Sequence, residues 1–180
     1  MDEIAAAAGI TKPVLYQHFD SKLDLYLALI DEASLAIAKA VWEATSERPT
    51  GWQTTLEGFR AYFQYVHDNP AAFKIAVSDA QSNAEIRDRI EAIRSLMAER
   101  VSQLIANSPE GDWATQQQID MGATAIVGAA ELIAKNWVNN GRVGVEEAAL
   151  AAAELTWSGI SGLGPGGAAA PPGRHGFEIP

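Results

Sequence analysis

Seven side chains crowd into one short stretch near the start of the chain: Thr11, Lys12, Pro13, Tyr16, Gln17, His18 and Lys22. Six of them carry hydrogen-bond donors, and the two lysines add positive charge. None is a nucleophile beside a base. Their chemistry suits recognition of phosphate and of base edges by a short helix presented to a DNA groove; taken alone, Tyr16 reads equally as a half-buried core aromatic, and His18 and Lys22 as solvated surface residues. Lys12 can reach a phosphate or a guanine edge. Tyr16 lies one turn on, on the same helix face, where its hydroxyl can reach backbone oxygen. Gln17 can read an edge or lie in solvent. His18 is a donor in either protonation state, which suits a phosphate contact. Lys22 combines its charge with the start of the following helix.

The rest of the chain offers no competing chemistry. It has no Cys, so no thiolate and no Cys-ligated metal. Its three histidines lie far apart, at positions 18, 67 and 175. His67 stands beside Asp68 without a third metal ligand. No Ser or carboxylate falls in a recognisable nucleophile motif, so the chain reads as a non-enzyme with no metal or cofactor. No apolar stretch is long enough to span a membrane. The acidic opening Met1-Asp2-Glu3 is unlike a signal peptide, and a cytoplasmic location is expected.

A net charge of −10 over 180 residues argues against a protein that coats DNA with its whole surface. It leaves room for a small contact face. Residues 10–22 hold Lys12 and Lys22 against Asp20, and the acidity lies mostly downstream.

The elements that position this face are helices almost throughout, and the expected fold is all-α. Met1–Ala8 forms a short helix that Gly9 ends in the left-handed position. Thr11 is the N-cap and Pro13 sits in the first turn of a helix over Lys12–Phe19. In that helix Val14, Leu15 and Phe19 are expected in the core. Ser21-Lys22-Leu23-Asp24 resembles a capping box and opens a long helix to about Ser46, with Leu25, Leu29, Ala33, Ala36, Ala40 and Val41 on one face. Breakers at 47–51 precede a helix from Trp52 to His67. Asn69 and Pro70 start a short helix, and Ser82-Asn83-Ala84-Glu85 reads as a capping box for an amphipathic helix bearing Ile86, Ile90, Ile93, Met97, Val101 and Leu104. Two more helices follow, over about 113–139 and 145–160. The Gly-, Ala- and Pro-rich stretch 161–180 is expected to be a disordered tail.

Between Met1 and Tyr26, the residues Ile4-Ala5, Ala8-Gly9, Thr11-Lys12-Pro13, Leu15-Tyr16, His18-Phe19 and Ser21-Lys22 with Leu25 resemble the helix-turn-helix of the TetR/AcrR family of transcriptional regulators. The most specific part is Tyr, one spacer, His-Phe, one spacer, Ser-Lys. The resemblance implies a DNA-binding region and connecting helix over 1–45, followed by a ligand-binding and dimerising helical bundle over 46–160. Pro13 stands where the family often has Gly or another small residue, and it gives up a backbone donor. The family's usual first helix and N-terminal arm precede the segment matching Met1. They are missing here, so the DNA-binding region is expected to be N-terminally incomplete.

The function implied is a ligand-responsive regulator, most often a repressor, that binds operator DNA as a homodimer. The alternative is a dimeric small-molecule-binding module that has lost DNA binding through the truncation. Phe59, Tyr62, Phe63, Val66, Phe73, Met97, Val101 and Trp137 are the candidate walls of an effector pocket. Ile119, Ala123, Ile126, Val127, Ala130, Ile133 and Trp137, with Ala149, Ala153 and Trp157, are the candidate dimer face. The effector itself is unspecified.

Overall fold

The computed structural model describes residues 1–46, 51–77, 83–108, 114–141 and 143–161. Eight helices account for the regular structure among them: α1 (Asp2–Ala7), α2 (Lys12–His18), α3 (Lys22–Thr45), α4 (Gly51–Asp68), α5 (Pro70–Ala76), α6 (Ala84–Ala106), α7 (Gln116–Asn140) and α8 (Val145–Ser161). Ser161, expected to open the tail, instead ends α8, and 162–180 lies outside the described residues, as do Trp113 and Ser82.

Local chemistry explains most of the boundaries. Gly9 takes φ +68° just past α1, a conformation that costs a glycine little. The Ser21 hydroxyl accepts from the Asp24 amide, while the Asp24 carboxylate reaches back one residue further than in a capping box, to the amide of Asp20. At α6 the cap is Asn83 rather than Ser82: its Oδ1 accepts from both Glu85 and Ile86 amides. Asn69 precedes Pro70 as expected, but its side chain turns backward and donates to the Tyr65 carbonyl. The full capping box lies at Thr115 and Gln118, at the start of α7.

Three clusters hold the helices together. Ala5, Leu15 and Leu25, with Met1, Phe19 and Leu29, join α1 and α2 to the start of α3. Val14, expected in this core, stands at the surface instead. Leu27 and Ile30 pack on Ile86 and Ile90 of α6, with Ile75 of α5 beside them. The third and largest cluster brings Phe59, Phe63 and Val66 of α4 and Phe73 of α5 against Ala134 of α7 and Ala148, Ala149, Ala152 and Ala153 of α8. The small residues of α8 let α4 lie close along it, and α7 runs along α6. Where α3 crosses α4, a β-carbon on Gly58 would stand 3.3 Å from the Thr45 methyl, so the glycine permits the approach.

The long helix α3 therefore serves all three cores, with Ile37 packed against the largest. Leu25 and Leu29 face the small N-terminal unit, and Leu27 and Ile30 face α6. The single expected face of α3 is thus incomplete.

The α6–α7 seam also carries a charged clamp. Arg94 donates from Nε and Nη2 to the two oxygens of Glu131, at 2.7 and 2.6 Å. Lys135 lies 3.1 Å from the same carboxylate. Burial alone would push Glu131 up, but the bonds from Arg94 and Lys135 outweigh it and hold the carboxyl below its ordinary value. A carboxyl lowered in the folded state adds stability above its unfolded value, and that stability is lost as pH falls through the folded one. Glu131→Gln should therefore cost about 1–2 kcal/mol at neutral pH, a figure reduced for the exposure of Arg94. The variant should also lose part of the stability decline that the parent shows below pH 4.5, the ordinary value. Urea titrations at neutral and acid pH check both.

Candidate nucleic-acid interface

The geometry of α2 follows from one buried residue. Leu15 faces the small core and is almost fully covered. At about 100° per residue, Pro13 and Gln17 then lie on the opposite side of the helix, pointing away from the protein. Val14 and Tyr16 flank that outward side, both exposed. Lys12, His18 and the nearby Lys22 are exposed as well. All seven sequence-derived candidates are exposed. Gln17 is the polar side chain of α2 that lies most directly opposite Leu15.

Thr11 occupies the N-cap position of α2, but its side chain makes no capping bond, so the hydroxyl is free for a phosphate. Lys12 and Tyr16 are neighbours one turn apart on the helix. Asp2, which sequence reasoning passed over, holds Lys12 in an ion pair. The two are ten residues apart on different helices, and spacing along the chain carries no signal for such a contact.

The other candidate sites are placed differently. Phe59, Phe63, Val66 and Phe73 are buried and fill the large cluster. Tyr62 stands edge-on to Phe63 and Phe73, with centroids at 5.5 and 6.3 Å. Burial first, and the Glu131 charge second, push its phenol up, so it stays neutral. Met97 and Val101 are half-buried on α6, outside that cluster. Of the eight residues expected to wall a pocket, six belong to or pack against the large cluster and two stand apart from it. Trp137 packs edge-on against Phe63 at 5.5 Å and donates from Nε1 to the Val143 carbonyl at 2.9 Å, which ties the α7–α8 connection to the core.

The expected dimer face is largely turned inward. Ile119, Ala123, Ala149, Ala153 and Trp157 are buried within the chain. Ile126, Ala130, Ile133 and Trp137 pack against the large cluster, and Val127 is half-buried. The large side chains left on the outside of these two helices are Met121, Leu132 and Leu155, at 67%, 67% and 65% exposure. A hollow between them is lined by Met121, Gly122, Ala125, Ala129, Leu155 and Gly159, among others.

Among the described residues no helix is long and apolar enough to cross a membrane. Residues 53–159 match the family described as the tetracyclin repressor-like C-terminal domain. Residues 1–29 match bacterial regulatory proteins of the tetR family. The chain is 29% identical over 163 residues to the HTH-type transcriptional activator FasR of Mycolicibacterium smegmatis, covering 89% of this chain and 73% of FasR. It is 26% identical over 164 residues to an HTH-type transcriptional regulator of Mycobacterium tuberculosis, covering 91% and 69%. A TetR-like transcriptional regulator from Rhodococcus sp. RHA1 superposes with a TM-score of 0.70 at 27% identity, over 89% of this chain and 84% of that one. A tetR-family protein from Rhodococcus RHA1 shares the fold at the same TM-score of 0.70 and 21% identity, over 90% and 84%. With residues 1–29, which hold α1 and α2, matching the tetR-family regulatory proteins and residues 53–159 matching the family's C-terminal domain, the chain belongs to the TetR family of transcriptional regulators, a family of DNA-binding proteins rather than enzymes.

Proposed function

We propose that this regulator acts in the cytoplasm as a homodimeric repressor, and that a small molecule bound in its helical bundle changes its hold on operator DNA. The observation that carries the DNA-binding part is the outward side of α2. Gln17 and Pro13 project opposite the buried Leu15, with Lys12, Tyr16, His18 and Lys22 around them. In this reading Gln17 meets base edges, while Thr11, Tyr16, His18 and the two lysines hold the backbone. Pro13 sets the start of the helix close to the groove. The direction of regulation depends on where the operator lies relative to the promoter, so one architecture can serve a repressor here and an activator in the relative named FasR.

The effector response rests on the continuity of α5 with two cores. Phe73 belongs to the aromatic cluster, and Ile75, two residues on, packs against the cluster that joins α3 to α6. A ligand that enters among Tyr62, Phe73 and Trp137 must move α5. Moving α5 shifts α3, which carries α2. Such a ligand favours dimers whose recognition helices no longer match the half-site spacing. Two-fold pairing in this proposal uses Met121, Leu132 and Leu155, which occupy the outer side of α7 and α8 where the earlier-named face turns inward.

A gel-shift series with duplexes from the promoter region of the chain's own gene tests the proposal. A retarded, two-fold-symmetric footprint supports it. Absence of binding both in this chain and in a form extended upstream overturns it. Absence of binding in this chain alone favours the alternative of a module that dimerises without binding DNA. In the binding form, Lys22→Ala should weaken association at every sequence and lower the slope of log K against log salt by about 0.9, the share of one phosphate contact. Fluorescence anisotropy across a salt series reads both quantities.

A further inference from the structure

The positive charges around α2 are not equivalent. Lys12 Nζ donates to Asp2 Oδ2 at 3.0 Å and lies 2.9 Å from Oδ1, so the ammonium sits across both carboxylate oxygens. The pair bridges the first turn of α1 and the first turn of α2. Both side chains are exposed. Lys22 forms no ion pair among the described residues. The hydrogen bond between Asp2 and Lys12 lowers the one and raises the other, so both are charged at neutral pH.

A carboxylate offers an ammonium two oxygens that share one negative charge. The non-bridging oxygens of a phosphodiester offer the same. We propose that Asp2 is a built-in stand-in for a DNA phosphate: it neutralises Lys12 in the free protein and must release it when Lys12 engages DNA. The proposal rests on the reading of α2 as the DNA-facing helix, and assigns that surface an affinity-setting residue outside it. Because phosphate contacts are blind to sequence, the competition weakens binding equally on every duplex. Asp2 thus limits adhesion to non-operator DNA and leaves discrimination to groups such as Gln17.

The pair itself does little for the fold. It is fully exposed, and ion pairs of this kind contribute little to stability. Asp2→Asn keeps the size of the side chain and removes the charge, so circular dichroism should show an unchanged helix content.

The test is a double-mutant cycle with Asp2→Asn, Lys12→Ala and the two combined. The probe is a fluorescein-labelled, mixed-sequence duplex of about 30 base pairs at about 50 mM salt, conditions in which phosphate contacts dominate. Asp2→Asn should tighten binding about two- to fivefold. Lys12→Ala should weaken it, and the double variant should match Lys12→Ala alone. Unchanged or weaker binding by Asp2→Asn overturns the proposal. So does an equal gain from Asp2→Asn in the Lys12→Ala background, which would mean that the carboxylate repels phosphate directly. If Lys12→Ala leaves affinity unaltered, the reading of Lys12 as a DNA contact fails, and the proposal falls with it. The pair is read separately in the DNA-free protein by NMR titration of the Asp2 carboxyl. Its midpoint should rise in Lys12→Ala, and an unmoved midpoint removes the ion pair and the proposal together.

Discussion

Phe63→Ala should destabilise the protein by about 3–5 kcal/mol, the range for emptying a large aromatic site in a packed core. Phe63 is fully buried at the centre of the largest cluster. It stacks on Phe59 with centroids 6.4 Å apart and meets Tyr62 and Trp137 edge-on, each at 5.5 Å. Truncation loses the transfer energy of the ring, the aromatic contacts and the cavity term at once. Domains of this size are stable by only about 5–15 kcal/mol, so one residue threatens the whole bundle. Phe63→Leu keeps most of the volume and should cost far less, about 1–1.5 kcal/mol. Urea unfolding followed by circular dichroism separates the two variants. The comparison also bears on the effector site. A side chain that merely lines an empty pocket loses few contacts on truncation, and a loss below about 1 kcal/mol would mean that the cluster is looser than its packing indicates.

That contrast marks the limit of what the residues alone disclosed. An aromatic at helical spacing reads equally as pocket wall or as core, because both require the same periodicity. What decides between them is whether other side chains fill the space. Here Trp137 lies on Phe63, and its indole is tied to the Val143 carbonyl, a bond across a turn that the sequence does not advertise. Helix ends were easier. Gly9, Ser21 and Pro70 are residues whose own backbone or side-chain chemistry stops or starts a helix, and each does so here. Asn83 took the cap from Ser82 because either residue type satisfies a helix start, and position along the chain does not rank them.

The exposed side of α2 was legible for a related reason. It is local: Leu15 anchors the helix, and everything else on α2 follows from a fixed angular step. The face of α7 was not local. That helix is apolar on two sides, and its sequence cannot rank Ile119 and Ala123 against Met121 and Leu132. The choice is made by partners. The small residues Ala149, Ala152 and Ala153 bring α8 against α4, and α7 then fits with Ala134 inward. Two strongly apolar sides on one helix still carried information: one side builds the monomer core, and the other is left over.

That leftover side gives the second large effect. Leu132→Glu combined with Leu155→Glu should convert a dimer into a folded monomer. Both leucines are about two-thirds exposed in the single chain, so charge there costs the monomer fold little, and its melting temperature should stay close to the parent's. In a two-fold interface each substitution appears twice, so four carboxylates would be brought into an apolar contact and lose water without gaining partners. The dissociation constant of the dimer should rise on the order of a hundredfold or more. Light scattering after size exclusion reads the mass, and it should halve at micromolar concentration. DNA affinity should fall with it on a two-half-site duplex, because each recognition helix then binds without the effective concentration supplied by its mate. Ala123→Glu, on the inward side of the same helix, should instead unfold the chain, since that β-carbon is completely buried. A double variant that keeps its dimeric mass would place the two-fold contact elsewhere on the surface. A stable, dimeric Ala123→Glu would reverse the assignment of the two sides of α7.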